Sequence, residues 1–218
     1  MKSLLTIPGD TASEASFSWA SRVLSNCLKS HNRCNRNTIT ELPTLVLDLG
    51  PPEEATNVKL FEPSGTSDRY ACLSHFWGKT RSITTKRRTL ASHRRGMAWE
   101  LLPKTFQDAI NFARRLDLRY LWIDSLCIIQ DDTDDWRRES AKMASIYQNS
   151  YITIAATMSA NDHGGCFSAA SPFDIDYLLP AKLSDELSER TPHQIYVCEK
   201  FFTLMTRKTS TLPQHTLS

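Results

Sequence analysis

LPKTFQDAINFARRLDLRYLWIDSLCIIQDDTDDWRRESAKMASIYQNSYITIAAT, residues 102–157, is the stretch in which the apolar residues change from helical to strand spacing and back again. Phe106, Ala109, Ile110, Ala113 and Leu116 recur at three- and four-residue steps, one apolar face of a helix over about 104–117. Tyr120-Leu121-Trp122-Ile123 follows as an unbroken apolar, aromatic and β-branched run, which predicts a strand covered on both faces and hence a parallel sheet. Asp132, Asp134 and Asp135 then mark a second helix start, because carboxylates there complement the positive end of the helix dipole. Trp136, Ser140, Met143 and Tyr147 share one face of that helix, which predicts that Trp136 is a core residue. Tyr151–Ala156 reads as a further buried strand. With Tyr70–Ser74 preceding, the order is β-α-β-α-β, so the fold class is α/β with a small parallel-sheet core.

Outward from the core, residues 14–31 carry Phe17, Ala20, Leu24, Cys27 and Leu28 at helical spacing, an N-terminal helix that needs a surface to cover. Leu45–Leu49 and Val58–Phe61, separated by Gly50-Pro51-Pro52, predict a short β-hairpin beside the main sheet. The chain divides into a flexible arm at 1–13, a helix and hairpin at 14–69, a core at 70–167 and an extension at 168–218. Within the extension only Tyr177–Leu179 and Ile195–Cys198 have strand-like composition.

A hydrophobic fraction of 40% in 218 residues is that of a globular chain able to build a core. Lys and Arg number 26 against 24 Asp and Glu, too small an excess to suggest nucleic-acid binding. No apolar run reaches the ~20 residues needed to cross a bilayer, and no secretory leader is evident, so a cytoplasmic location is expected. The six cysteines are then read as reduced thiols, with Cys72 and Cys127 as small buried hydrophobes. Cys27, His31 and Cys34 would share a face if their helix continued, a zinc arrangement lacking an evident fourth ligand; packing at a helix end is the alternative. No metal site is assigned.

Ligands of parallel sheets bind beyond the carboxyl ends of the strands. That rule selects Ser74, His75, Trp77 and Gly78 after one strand, Asp124, Cys127 and Gln130 after the next, and the loop after Thr157, with Asp162 and His163, after the last. Asp124 is read either as lining a pocket with Ser74 and His75 or as capping the amides of residues 125–127. From Lys79 to Trp99 there is no carboxylate, and Lys79 and Arg81 lead a basic run; it is either a solvated loop and short helix or a phosphate-attracting edge of the rim. Cys127 with His75 or His163 as base would make a thiol nucleophile, against the default of burial.

These residues also carry a resemblance. Tyr70-Ala71-Cys72-Leu73-Ser74-His75-Phe76-Trp77-Gly78 is similar to the "Y-x-x-L-S-Y-x-W-G" block of the HET (heterokaryon incompatibility) domain of filamentous fungi. Leu102–Thr105, Asp108–Ile110, Tyr120–Asp132, Asp135, Trp136, Glu139, Met143 and Ile146-Tyr147 resemble its second block. His75 stands where the family usually has Tyr, and Lys79 where an acidic residue is frequent. Only Thr211–Ser218 echoes a third block, so the extension is expected to be truncated relative to the family. The resemblance implies a cytoplasmic effector of nonself recognition and regulated cell death, acting through self-association or a partner signalling protein. It also implies a core likened to TIR domains, whose enzymatic members hydrolyse NAD using a helical glutamate. On that analogy NAD is a candidate substrate, no cofactor is required, and Glu139 is the candidate catalytic residue, on the helix flank nearest the rim. The competing readings are an interaction module without catalysis and an inactive copy.

Overall fold

The computed structural model describes residues 10–30, 39–51, 58–78, 83–157 and 159–169. His31, Cys34, Lys79, Arg81 and the strand-like segments after 170 lie outside the described residues. In chain order the elements are α1 (Glu14–Ser30), β1 (Thr40–Glu41), β2 (Val46–Asp48), β3 (Lys59–Phe61), β4 (Ser67–Asp68), β5 (Tyr70–Ser74), α2 (Arg87–Arg95), α3 (Lys104–Arg115), β6 (Tyr120–Ile123), α4 (Asp124–Cys127), α5 (Thr133–Asn149) and β7 (Ile152–Ala155).

Five strands form one sheet in the order β3-β2-β6-β5-β7, with β5 parallel to both β6 and β7. The three predicted core strands are therefore neighbours, with β5 between the other two. The hairpin differs from its expected place beside the sheet. β2 pairs antiparallel with β6, Leu47 opposite Leu121, so the sheet is mixed and β2 is interior to it. Val46, Leu47 and Asp48 are all buried, and Asp48 is accommodated because Arg119 grips it with two hydrogen bonds of 2.9 and 3.0 Å. Burial works to raise the Asp48 pKa, but the Arg119 bonds, the Gly50 amide and the charges of Arg119 and Lys59 outweigh it and hold it below the ordinary carboxylate value.

α3 buries Phe106, Ala109, Ile110 and Ala113, four of the five residues its periodicity selected; the fifth, Leu116, follows the last turn and is half-buried. On the other face α5 packs through Tyr147, whose ring meets Trp122 edge-on at 5.5 Å and whose hydroxyl donates to the Leu73 carbonyl at 3.3 Å. Trp122 is 1% exposed, as expected of a strand covered on both faces. Trp136, by contrast, is 51% exposed rather than core. Trp136 shares a helical stripe with Tyr147, but the buried residues in the first turns of α5 are Asp135 and Glu139, and the tryptophan is left on the exposed side. Among the described residues no helix is long and apolar enough to cross a membrane.

Candidate functional site

The rim beyond β5, β6 and β7 is built by three loops that lock together. Gly78 has φ +70°, and a Cβ there would lie 2.8 Å from Asn161 Cβ, so a glycine lets the loop after β5 lie against the loop after β7. Trp77 Nε1 donates to both oxygens of Asp124 at 3.1 and 3.0 Å. Asp124 also accepts from the Ser125 amide at 2.7 Å as it opens α4. It thus caps its own loop and tethers the neighbouring one. Gln130 Nε2 donates to the carbonyls of Asp124 and Ile128 at 3.1 and 3.0 Å, and its amide donates to Thr85 at 2.8 Å. Ser74 is exposed at the strand end.

His75 lies in the same rim with its side chain 2% exposed, edge-on to Phe106 at 5.0 Å and parallel to Trp77 at 6.4 Å. Nδ1 stands 3.9 Å from Asp124 Oδ1, beyond hydrogen-bond reach. Burial lowers the His75 pKa to about 4, with the charge of Asp162 acting in the opposite direction. The ring is therefore neutral near pH 7. His163 is exposed, with Nε2 3.4 Å from Asp162 Oδ1.

Cys127 sits behind the rim, 1% exposed, with Sγ accepting from the Ile123 amide at 3.5 Å. Burial, foremost, pushes its thiol up to about 12, so it is protonated at neutral pH and has no thiolate to offer a substrate.

Glu139 is buried rather than open to solvent, and its charge acts on Cys127. It is 2% exposed and faces the segment before β2, which lies across β6 from β5. Its Oε1 accepts from Thr44 Oγ1 at 3.0 Å, Lys142 Nζ at 3.1 Å and Arg138 Nε at 3.2 Å. Asp135, one turn earlier, is buried as well, accepting from the Ile129 amide at 2.8 Å and from Arg138. The expectation that an inward Trp136 places Glu139 on the rim flank reverses: both carboxylates turn inward and the Trp136 ring lies in solvent.

Thr44 and Lys142 also line a cleft of about 430 Å³, shared with Glu41, Glu62, Tyr70 and Asn149. Sequence reasoning missed this cleft because its walls come from separate segments of the chain, none with a motif of its own. The described part of the basic run is partly neutralised within the fold, Arg87 pairing with Asp132 at 3.1 Å and Arg94 with Glu62. Among the described residues no group of three or more His, Cys, Asp or Glu is placed to hold a metal ion; the Cys27, His31 and Cys34 arrangement involves residues outside them.

The family model described as Heterokaryon incompatibility protein (HET) matches residues 70–211, which take in the rim, α5 and β7. No curated protein and no solved structure gives a significant match.

Proposed function

Since the chain belongs to the heterokaryon incompatibility (HET) family, we propose that it is an effector of fungal nonself recognition that drives regulated cell death by contact with other proteins rather than by catalysis. The observation that carries the contact reading is the state of Glu139. A carboxylate that stabilises a developing cation must face the reacting group. This one is spent on Thr44, Arg138 and Lys142. Three other candidates are committed as well: the Cys127 thiol to the interior, Asp124 to Trp77 and the Ser125 amide, and Gln130 to loop carbonyls.

Incubating the purified chain with NAD and following the dinucleotide over hours tests this reading. The expected result is no loss above a protein-free control, together with growth arrest when the chain is expressed in a fungal host. Steady NAD consumption by the parent would overturn it.

A second reading, nucleotide hydrolysis, is favoured by one observation. Thr44 and Lys142 line the 430 Å³ cleft and both bond Glu139, so a ligand that displaced the Lys142 ammonium would meet the carboxylate directly. In that reading NAD or a related nucleotide is substrate, Glu139 is catalytic, and no cofactor is required. The same incubation decides between the two.

A further inference from the structure

The 430 Å³ cleft has a chemistry of its own, set by the second half of α5 and the segment that runs beside it. Thr40 Oγ1 donates to the Asn149 carbonyl at 3.3 Å, and Lys142 Nζ donates to Thr44 Oγ1 at 3.2 Å. Residues 40–44 therefore lie alongside α5, and Lys142 and Asn149, about 10 Å apart along the helix, mark two ends of the cleft. At the Lys142 end charge is matched, because the ammonium bonds the buried Glu139 carboxylate at 3.1 Å. At the Asn149 end it is not. Glu41 lines the cleft there, next to Thr40 and exposed, and among the described residues its carboxylate has no ion pair and no hydrogen bond. The last turn of α5 carries no basic residue, so the helix does not compensate the negative end of its own dipole. Glu62 adds a second carboxylate, paired with Arg94 between half-exposed side chains, a contact that water screens.

We propose that this end of the cleft binds an organic cation bearing several N–H donors, an alkylammonium or a guanidinium group. Hydrogen bonding selects the same ligand as charge does. A hydroxyl has one proton to give. Those of Thr44, Ser145 and Tyr70 are given inward, to Glu139 at 3.0 Å and to the carbonyls of Lys142 and Ile146 at 2.7 Å each. Pro43 and Pro63 have no amide proton, and the Leu42 amide donates to the Thr66 carbonyl at 2.9 Å. The walls thus offer more acceptors than donors, and a ligand rich in donors completes them. The volume falls within the roughly 300–1,000 Å³ usual for small-molecule sites. A phosphate-bearing ligand would instead set its charge against Glu41 and the carbonyl end of α5.

This proposal goes beyond the contact reading and does not rest on it, since the cleft can hold a small cation whichever surface meets a partner. Isothermal titration of the full chain with agmatine, which carries a guanidinium and an ammonium, tests it at matched ionic strength, with thermal melts confirming that each variant is folded. Saturable binding is expected, about tenfold or more tighter than that of tetramethylammonium, which has the charge but no N–H. Glu41→Gln, at an exposed position with no bonds to lose, should weaken agmatine binding by about tenfold or more. Asn149→Lys places an ammonium of the chain's own beside the helix end and should abolish it. A short arginine-containing peptide titrated alongside separates two carriers of the same group. Tighter binding of the peptide supports a protein side chain as the occupant, and tighter binding of agmatine supports a free amine. No saturable binding of either by about 10 mM, equal binding of tetramethylammonium, a Glu41→Gln variant that binds like the parent, or displacement of agmatine by NAD would each overturn the proposal.

Discussion

Glu139→Gln keeps the shape of the side chain and removes its charge, and it is expected to destabilise the protein whether or not Glu139 has any chemistry to perform. The parent carboxylate receives Thr44 at 3.0 Å, Lys142 at 3.1 Å and Arg138 at 3.2 Å while only 2% exposed. Removing one member of a buried pair can cost about 3–5 kcal/mol when the partner is left desolvated. Here the partners are half in water, with Arg138 53% and Lys142 47% exposed, so both cations can turn outward and the loss is screened. Gln still accepts from Thr44. The expected cost is therefore about 1–2 kcal/mol, a fall in Tm of about 3–6 °C for a chain of this size. Glu139→Ala also removes the Thr44 acceptor and leaves unfilled volume, and should cost about 2–4 kcal/mol. Thermal and urea melts of the parent and both variants measure this. A Gln variant as stable as the parent would refute the reasoning, since it would mean that the three bonds contribute nothing net. It follows that loss of cell killing in Glu139→Gln can be attributed to chemistry only after the variant's stability at the growth temperature is known.

The two tryptophans separate cleanly: Trp122→Ala should cost about 3–5 kcal/mol in a urea melt, while Trp136→Ala should stay within about 0.5 kcal/mol of the parent. Asp48 has its folded pKa held below the ordinary value, so its contribution to stability is fully present above about pH 4 and fades as pH falls through the lower, folded value. Stability measured from pH 7 down to pH 2.5 should therefore drop less steeply in Asp48→Asn than in the parent, from a lower starting point. Gly78→Ala should lose about 1–3 kcal/mol, because φ +70° and Asn161 Cβ at 2.8 Å both oppose a side chain, and a neutral result in the same melt would contradict the packing of the two loops. Cys127, with its thiol raised to about 12 by burial, should resist alkylation at pH 8 in the folded protein and react once denaturant is added, as mass spectrometry of the peptide would record.

Which faces turn inward was legible wherever the residue types agreed with one another. The Phe106, Ala109, Ile110 and Ala113 stripe is buried along α3, and the unbroken run Tyr120–Ile123 is buried at every position. Gly78 and Asp124 stood where a strand must end, and that end is where three loops meet. The sequence by itself determined these features because period and residue type are local properties of the chain. Two things were decided only in three dimensions. One was which side of α5 turns inward at its start: Trp136 shares a helical stripe with Tyr147, yet Asp135 and Glu139 take the buried side there and the tryptophan is exposed, a choice that apolar periodicity does not encode. The other was which charges find partners. Asp135 and Glu139 could turn inward because the Ile129 amide and Thr44 come to meet them while Arg138 and Lys142 reach around from the helix surface. Thr44 is 95 residues away in sequence. A buried carboxylate is tolerated only where such partners converge, and convergence is a property of the folded chain.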